Sequence, residues 1–199
     1  MMKKTAKLFI ISGPSGVGKS TVIHRALQNF TDFYFSVSAT TRCARPGEKE
    51  GIDYFFIGKE EFEKGIQNQQ FLEYTCYCEN YYGTPRKAVE EHLNLGYNVL
   101  LDIEIEGASQ VKQHMPDSVT VFIVPPDLQE LERRLRSRGT DSEDKIAGRL
   151  ARAKKEFEKA PDYDYLIIND NVENASQEVT AIIQAEQFRY DCRKAVLEV

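Results

Sequence analysis

The chain has 199 residues, 41% of them hydrophobic and 29% charged, which is enough to bury one ordinary core and too little for several. A formal net charge of -5 excludes a general nucleic-acid or acidic-membrane binder, whose field would repel the chain, although a local basic pocket stays open. No apolar run approaches the about 18 residues of a membrane span, and the N-terminal stretch Leu8 to Ile11 covers only four, short of a secretory signal core, so a cytoplasmic protein is expected.

The first predicted element is a buried strand over Lys7 to Ser12 (KLFIIS), a short apolar run of the kind found in parallel sheets. A glycine-rich turn follows, then a helix from Lys19 to about Asn29. From Phe35 to Tyr82 the texture becomes polar, aromatic and alternating, as in Ser36 to Thr41, Asp53 to Ile57 and Phe71 to Tyr77, which predicts a small, mostly β insertion. Apolar runs recur at Tyr97 to Ile103, Val119 to Val124 and Tyr165 to Ile168, separated by helical periodicity, and that alternation marks a doubly wound parallel sheet. Between Asp127 and Lys159 the sequence is helical and rich in Arg and Lys, with a break at Arg138-Gly139-Thr140 and a helix start at Asp141-Ser142-Glu143, as in a basic helical flap. An amphipathic helix over about Asn174 to Lys194, with Val179, Ile182, Ile183 and Phe188 on one face, is expected to cover the sheet.

The cysteines Cys43, Cys76, Cys78 and Cys192 form no CxxC pair and have no histidine at zinc spacing, and they read as reduced thiols. Cys76 and Cys78, two apart in an expected strand, share one face, where packing is their expected use. The histidines His24, His92 and His114 are scattered over predicted helices and receive no role.

Gly13-Pro14-Ser15-Gly16-Val17-Gly18-Lys19-Ser20 matches the GxxxxGK(S/T) pattern in its confirming context, after an apolar strand and at the start of a helix. The plainer reading is a glycine turn between two elements. In the functional reading, glycines let backbone N–H groups turn inward around a phosphate and the helix aims its positive end at the same point. Lys19 then contacts the β- and γ-phosphates, and the Ser20 hydroxyl ligates a Mg²⁺ ion bridging them. Asp102 ends a hydrophobic strand where P-loop proteins hold an acid near that ion; its plainer reading is a helix cap.

Beyond this loop, Ser36-Val37-Ser38-Ala39-Thr40-Thr41-Arg42, Arg45-Pro46-Gly47-Glu48, Gly51-Ile52-Asp53-Tyr54-Phe55, Phe71-Leu72-Glu73, Asn80-Tyr81-Tyr82-Gly83-Thr84, Leu101-Asp102-Ile103, Arg134, Arg138-Gly139-Thr140, Arg149 and Ile168-Asn169-Asp170 stand in the order found in guanylate kinases. The chain resembles that family over essentially its whole length. The resemblance implies a P-loop NTPase-type three-layer α/β/α fold: a parallel-sheet core over 1–34, 83–126 and 160–199, a small mixed β GMP-binding insertion over 35–82, and a helical lid over 127–159. It implies transfer of the γ-phosphoryl group of ATP to GMP, with Mg²⁺ held through Ser20 and Asp102. ATP falls to Gly13, Pro14, Ser15, Gly16, Val17, Gly18, Lys19, Ser20, Thr21 and Asn169, the last either touching adenine or ordering the donor site. GMP falls to Ser38, Arg42, Arg45, Glu48, Tyr54, Glu73, Tyr82, Thr84, Asp102 and Glu104. The implied catalytic set is Lys19, Arg42, Arg134, Arg138 and Arg149.

The residue types suit those assignments. The forks of Arg42 and Arg45 match phosphate oxygens, and one carboxylate at Glu73 can accept both N1–H and N2–H of guanine, beside Ser38 and Thr84. Adenine would leave that carboxylate facing an acceptor. Flap arginines can stabilise charge on the transferring group while excluding water, whereas Arg133 and Arg136 are expected to face solvent. In this chain Glu104 stands where many members of the family carry a second aspartate, one methylene shorter. Competing readings are a kinase for another nucleoside monophosphate, a non-catalytic guanylate kinase-like module that binds phosphopeptides, and a GTPase, for which no NKxD-type motif is evident. A homo-oligomer stays open; nucleic acid and membrane partners are not expected.

Overall fold

A computed structural model describes residues 6–28, 30–77, 79–137, 139 and 141–194. In chain order the elements are β1 (Leu8–Ser12), α1 (Lys19–Leu27), β2 (Phe33–Phe35), β3 (Ala39–Thr40), β4 (Phe55–Phe56), α2 (Lys59–Gln67), β5 (Phe71–Tyr77), β6 (Asn80–Pro85), α3 (Arg86–Leu95), β7 (Asn98–Asp102), α4 (Ile105–His114), β8 (Val119–Val124), α5 (Leu128–Ser137), α6 (Glu143–Phe157), a 3₁₀ turn (Ala160–Asp162), β9 (Tyr165–Ile168), α7 (Val172–Gln187) and α8 (Tyr190–Arg193).

The main sheet has the order β2-β7-β1-β8-β9, and each of its pairings is parallel. All five residues of β1 are buried, as expected of a central strand covered on both faces. Its alternation sorts them: Phe9 and Ile11 join Val22, Ile23 and Ala26 of α1 and Val179 and Ile183 of α7, whereas Leu8 and Ile10 join Leu72, Val89, Val99, Leu101 and Val111 on the opposite face. Helices on both faces of a parallel sheet make the three layers expected from the sequence. Because the sheet is parallel, the carboxyl ends of β1, β7, β8 and β9 all open onto one edge, where ligand crevices form in such folds.

The second sheet, of order β4-β3-β6-β5, is mixed: β3 pairs with β4 in parallel and with β6 antiparallel. In β5 and β6, Glu73 lies opposite Thr84, after a slip in register between Phe71 and Glu73. Helix α2 seals this sheet through Phe62, fully buried and stacked on Phe71 at 4.2 Å and on Tyr81 at 5.2 Å. The helices α5 and α6 bury Leu131, Leu135, Ile146 and Ala153 in a small core of their own.

Several expectations need correction. The strand β2 was not foreseen: its three aromatics lack an alternating pattern, yet they pair with β7 at the sheet edge. The expected strand over Ser36 to Thr41 reduces to Ala39–Thr40. The C-terminal helix starts earlier, at Val172, with the Asn171 side chain accepting from the N–H groups of Glu173 (2.7 Å) and Asn174 (3.3 Å), and it ends at Gln187 before the short α8. Phe188, at that break, is exposed. Cys76, near the end of β5, is exposed rather than packed, and Cys43, Cys76 and Cys192 carry free thiols; Cys78 lies outside the described residues. Truncating the seal of the small sheet, Phe62→Ala, is expected to lower unfolding stability by about 3–5 kcal/mol, read as a shifted urea midpoint; a change under about 1 kcal/mol would show that α2 does not hold the sheet.

Candidate active site

The loop after β1 wraps the carboxyl edge of the sheet. Gly13 has a positive φ of 151°, and a Cβ there would stand 2.1 Å from the Ile123 carbonyl oxygen of β8, so only glycine lets the loop leave the sheet this closely. At the helix start, Lys19 Nζ donates to the Gly13 carbonyl at 3.0 Å and lies 3.6 Å from Asp102 Oδ1 at the end of β7. The Ser20 hydroxyl donates to Asp102 Oδ2 at 3.2 Å. Three residues from two elements, expected together from the phosphate-loop motif, thus meet at one point. Ser15, Ser20 and Thr21 are exposed, on the side from which a ligand can enter.

The end of β9 supports the loop from beneath. Asn169 is 1% exposed, and its Nδ2 donates to the Val17 carbonyl at 2.7 Å, a geometry that fits ordering of the loop better than contact with a base. Arg134 of α5 binds the same region: Nη1 donates to the Val17 carbonyl at 3.1 Å and Nη2 to the Asn169 carbonyl at 2.8 Å. Glu130 accepts from Arg134 Nε at 2.7 Å; hydrogen bonds from Arg133 and Arg134 hold its carboxyl low, at about 2. Arg149 of α6 reaches the loop as well, with Nη1 donating to Ser15 Oγ at 3.2 Å and Nη2 lying 3.4 Å from Asp141. Arg138 lies outside the described residues. Arg133 and Arg136 face outward, paired with Glu130 and Glu132.

A second cluster forms in the small sheet. Arg42 donates from Nη1 and Nη2 to the two carboxylate oxygens of Glu48, each at 2.9 Å, and Glu48 also accepts from the Arg45 backbone N–H at 2.7 Å. The guanidinium stands 5.4 Å from the Tyr54 ring centre, and Tyr82 packs edge-on against Tyr54. The hydrogen bonds that Arg42 donates to Glu48, and then its bond with Tyr82, raise the pKa of Arg42 against desolvation. Arg45 is exposed and Ser38 half-buried. The Arg42 fork is thus taken up by the Glu48 carboxylate, with the Tyr54 and Tyr82 rings beside it.

Glu73 is the outlier of the site. It is 4% exposed and accepts a hydrogen bond from the Thr84 hydroxyl at 2.7 Å, with no cation paired to it among the described ion pairs. A Cβ added to Gly107, in the first turn of α4, would stand 2.5 Å from its Oε2, so glycine there leaves room for the carboxyl. Burial first, against the opposing Thr84 hydrogen bonds and with the nearby Glu104 charge, pushes this carboxyl up to about 7. Glu104 itself is exposed and pairs with Arg152 at 2.6 Å.

Sequence reasoning missed Arg152, Glu130, Asp141 and Gly107. Arg152 falls three residues after Arg149 in one helix, a spacing that puts both on the same face and could have flagged it. Gly107 had no signal, since its importance lies in a contact across elements.

The family model described as Guanylate kinase matches residues 5–186. A guanylate kinase of Oceanobacillus iheyensis is 49% identical over 189 residues, 95% of this chain and 92% of that protein. One of Streptococcus thermophilus is 51% identical over 191 residues, covering 96% and 91%. The crystal structure of guanylate kinase from Anaplasma phagocytophilum aligns with a TM-score of 0.78 at 36% identity, over 97% of this chain and 92% of that one.

The raised carboxyl gives a stability test. Folded Glu73 holds its proton more tightly than the unfolded chain, whose ordinary value is 4.5, so its contribution is full below about pH 4.5 and is lost as pH rises through about 7. Relative to Glu73→Gln, the wild type is expected to lose roughly 3 kcal/mol across that window, read from urea midpoints at several pH values; a constant difference would contradict the buried, uncompensated carboxyl.

Proposed function

The chain belongs to the guanylate kinase family and is an ATP-dependent nucleoside monophosphate kinase, and on that premise we propose how its own residues divide the transfer of a phosphoryl group from ATP to GMP. The observation that carries the reading is the pairing of an anion-holding loop around Lys19 with a buried, cation-free carboxyl at Glu73.

The donor lies along residues 13–21, where backbone N–H groups and the α1 N-terminus hold its phosphates and Lys19 neutralises the β- and γ-oxygens. Asn169 and Arg134 fix the loop through the Val17 carbonyl. Arg149, already at Ser15, stands where charge on the transferring group has to be balanced. Arg138 joins it in our reading by sequence position alone.

The acceptor phosphate goes to Arg42, Arg45, Tyr54 and Tyr82. Glu48 keeps Arg42 extended and charged until a phosphate competes for the same fork. The base enters toward Glu73, whose ionised carboxyl accepts N1–H and N2–H of guanine, with Thr84, Ser38 and Glu104 around the base edge. Thr84 already holds one oxygen in place. Adenine presents an acceptor nitrogen at that point and leaves a buried carboxylate unmatched, a mismatch that can reach about 10⁴-fold in selectivity.

An oxygen of the GMP phosphate attacks the γ-phosphorus, the bond from that phosphorus to the β-bridging oxygen breaks, and ADP leaves with the electron pair. The attacking oxygen is already ionised near neutral pH, so no general base is assigned, and catalysis consists of alignment and charge balance.

The residues present fit a magnesium ion. Ser20 Oγ and Asp102 Oδ2 are hard oxygen donors 3.2 Å apart, the kind of ligand that Mg²⁺ takes beside phosphate oxygens and water. Bound there, it would neutralise charge on the β- and γ-phosphate oxygens. Our reading gives Ser20 and Asp102 the task of holding it, with Lys19 beside them at 3.6 Å from Asp102 Oδ1.

An ADP-release assay with ATP, Mg²⁺ and a panel of GMP, dGMP, AMP, CMP, UMP and dTMP checks the assignment. Turnover is expected with guanine acceptors only, falling at least about a thousandfold in Lys19→Ala with the fold retained, and in Glu73→Gln falling about a hundredfold for GMP. An active Lys19→Ala would remove the phosphate-loop role, and strong turnover with AMP would remove the Glu73 role.

A further inference from the structure

Helix α6 meets the phosphate loop through packing as well as charge. Its Ile146 and Ala153 share a small core with Leu131 and Leu135 of α5, and a Cβ added to Gly16 of the loop would stand 2.7 Å from Leu135 Cδ2, so the loop lies directly against that core. Arg149 stands one turn after Ile146, and packing therefore decides where its backbone sits. It does not decide where the guanidinium points. A long arginine stem has many rotamers, and a fixed direction requires contacts at the planar head itself.

The head has two such contacts. Nη1 donates to Ser15 Oγ at 3.2 Å, and Nη2 lies 3.4 Å from Oδ2 of Asp141, a residue in the connection between α5 and α6. Because these contacts use different terminal nitrogens of a flat, rigid fork, together they set its direction. Asp141 is the more deeply placed partner, its side chain 11% exposed against 34% for Arg149, and its Oδ2 is buried without a hydrogen bond among the described residues. The two groups thus form an ion pair with no hydrogen bond at that oxygen. This differs from Arg42 and Arg133, each of which gives two N–H groups to one carboxylate. A carboxylate at the Asp141 distance holds a guanidinium by charge without claiming its donors. Asp141 also precedes Ser142, the N-cap of α6, and an acid at the amino end of a helix has a plainer use in stabilising it.

We propose that Asp141 is a positioning residue for phosphoryl transfer: it holds the Arg149 guanidinium at Ser15 of the phosphate loop, so that its N–H groups meet the transferring phosphoryl group with little loss of side-chain freedom. This deepens the role given to Arg149 above and rests on it. A guanidinium held in this way favours the charge that develops during transfer and adds little to the earlier binding of either nucleotide. The signature of losing Asp141 is therefore a slower chemical step with nearly unchanged KM values.

The test compares wild type with Asp141→Asn, Asp141→Glu, Arg149→Met and the double variants that combine each Asp141 change with Arg149→Met. It reads the single-turnover rate of GDP formation from ATP and GMP with Mg²⁺, the KM for each nucleotide, and the urea midpoint. Asp141→Asn is expected to slow transfer about tenfold to a hundredfold, with each KM within about twofold. Asp141→Glu is expected to recover part of the rate, and neither Asp141 change is expected to slow transfer further once Arg149 is replaced. If Asp141→Asn does not fold, Asp141→Glu with and without Arg149 makes the same comparison. An equal loss in the Arg149→Met background, a loss confined to KM, or a wild-type rate in Asp141→Asn would overturn the positioning role and leave Asp141 a helix-end acid, seen only in the urea midpoint. The two readings fail separately: a slow Arg149→Met beside a fast Asp141→Asn removes this inference alone, and a fast Arg149→Met removes the role of Arg149 and the inference with it.

Discussion

Among the described residues, Glu73 is a buried carboxyl with no ion-pair partner, held between β5, β6 and the start of α4. Glu73 sits on β5 opposite Thr84 of β6, after a slip in register that turns it inward, under the glycine of the first turn of α4. Desolvation drives it toward the neutral form, against the hydrogen bonds from Thr84. In the proposed reading, a ligand with two adjacent N–H donors satisfies the ionised carboxyl and one with an acceptor at the same point does not, so that selectivity would come from what the pocket leaves unsatisfied.

The donor side uses the opposite strategy. Around Lys19 the charges are matched in advance: Asp102 balances the lysine, Ser20 donates to the same carboxylate, and Asn169 and Arg134 hold the loop from below through one carbonyl. In the proposed reading this pre-matched arrangement suits a reaction whose catalysis lies in positioning and charge balance. The parallel sheet makes this possible, since it brings Gly13, Asp102 and Asn169 from three strand ends to one edge. Helix α6 joins the same region, with Arg149 at Ser15 and Arg152 at Glu104.

The sequence was most legible where the chemistry is local. The run KLFIIS followed by GxxxxGKS specified a strand, a turn and a helix through apolar content and glycine spacing, and β8 and β9 fell on the expected residues for the same reason. It was least legible where structure depends on a distant neighbour. The aromatic run Phe33–Phe35 carries no alternation, and only its parallel pairing with β7 makes it a strand. The residues after Ser36 read as a longer strand than the two that pair, and the break at Phe188 in the last helix has no glycine or proline to announce it. Within the site, motif position marked Glu73, while the room for its carboxyl comes from Gly107 of α4, more than thirty residues away. Arg152 escaped notice because its partner Glu104 is distant in sequence.

The central claim, that the buried Glu73 carboxyl must ionise to read guanine, is tested most directly by counting protons. GMP would be titrated into wild type and Glu73→Gln at pH 7 in two buffers of different ionisation enthalpy. A group titrating near pH 7 is about half protonated there, so the wild type is expected to release about half a proton more than the variant on binding, the phosphate's own titration being common to both. Equal proton counts in the two proteins would show that guanine is read without ionising this carboxyl, and would contradict the account.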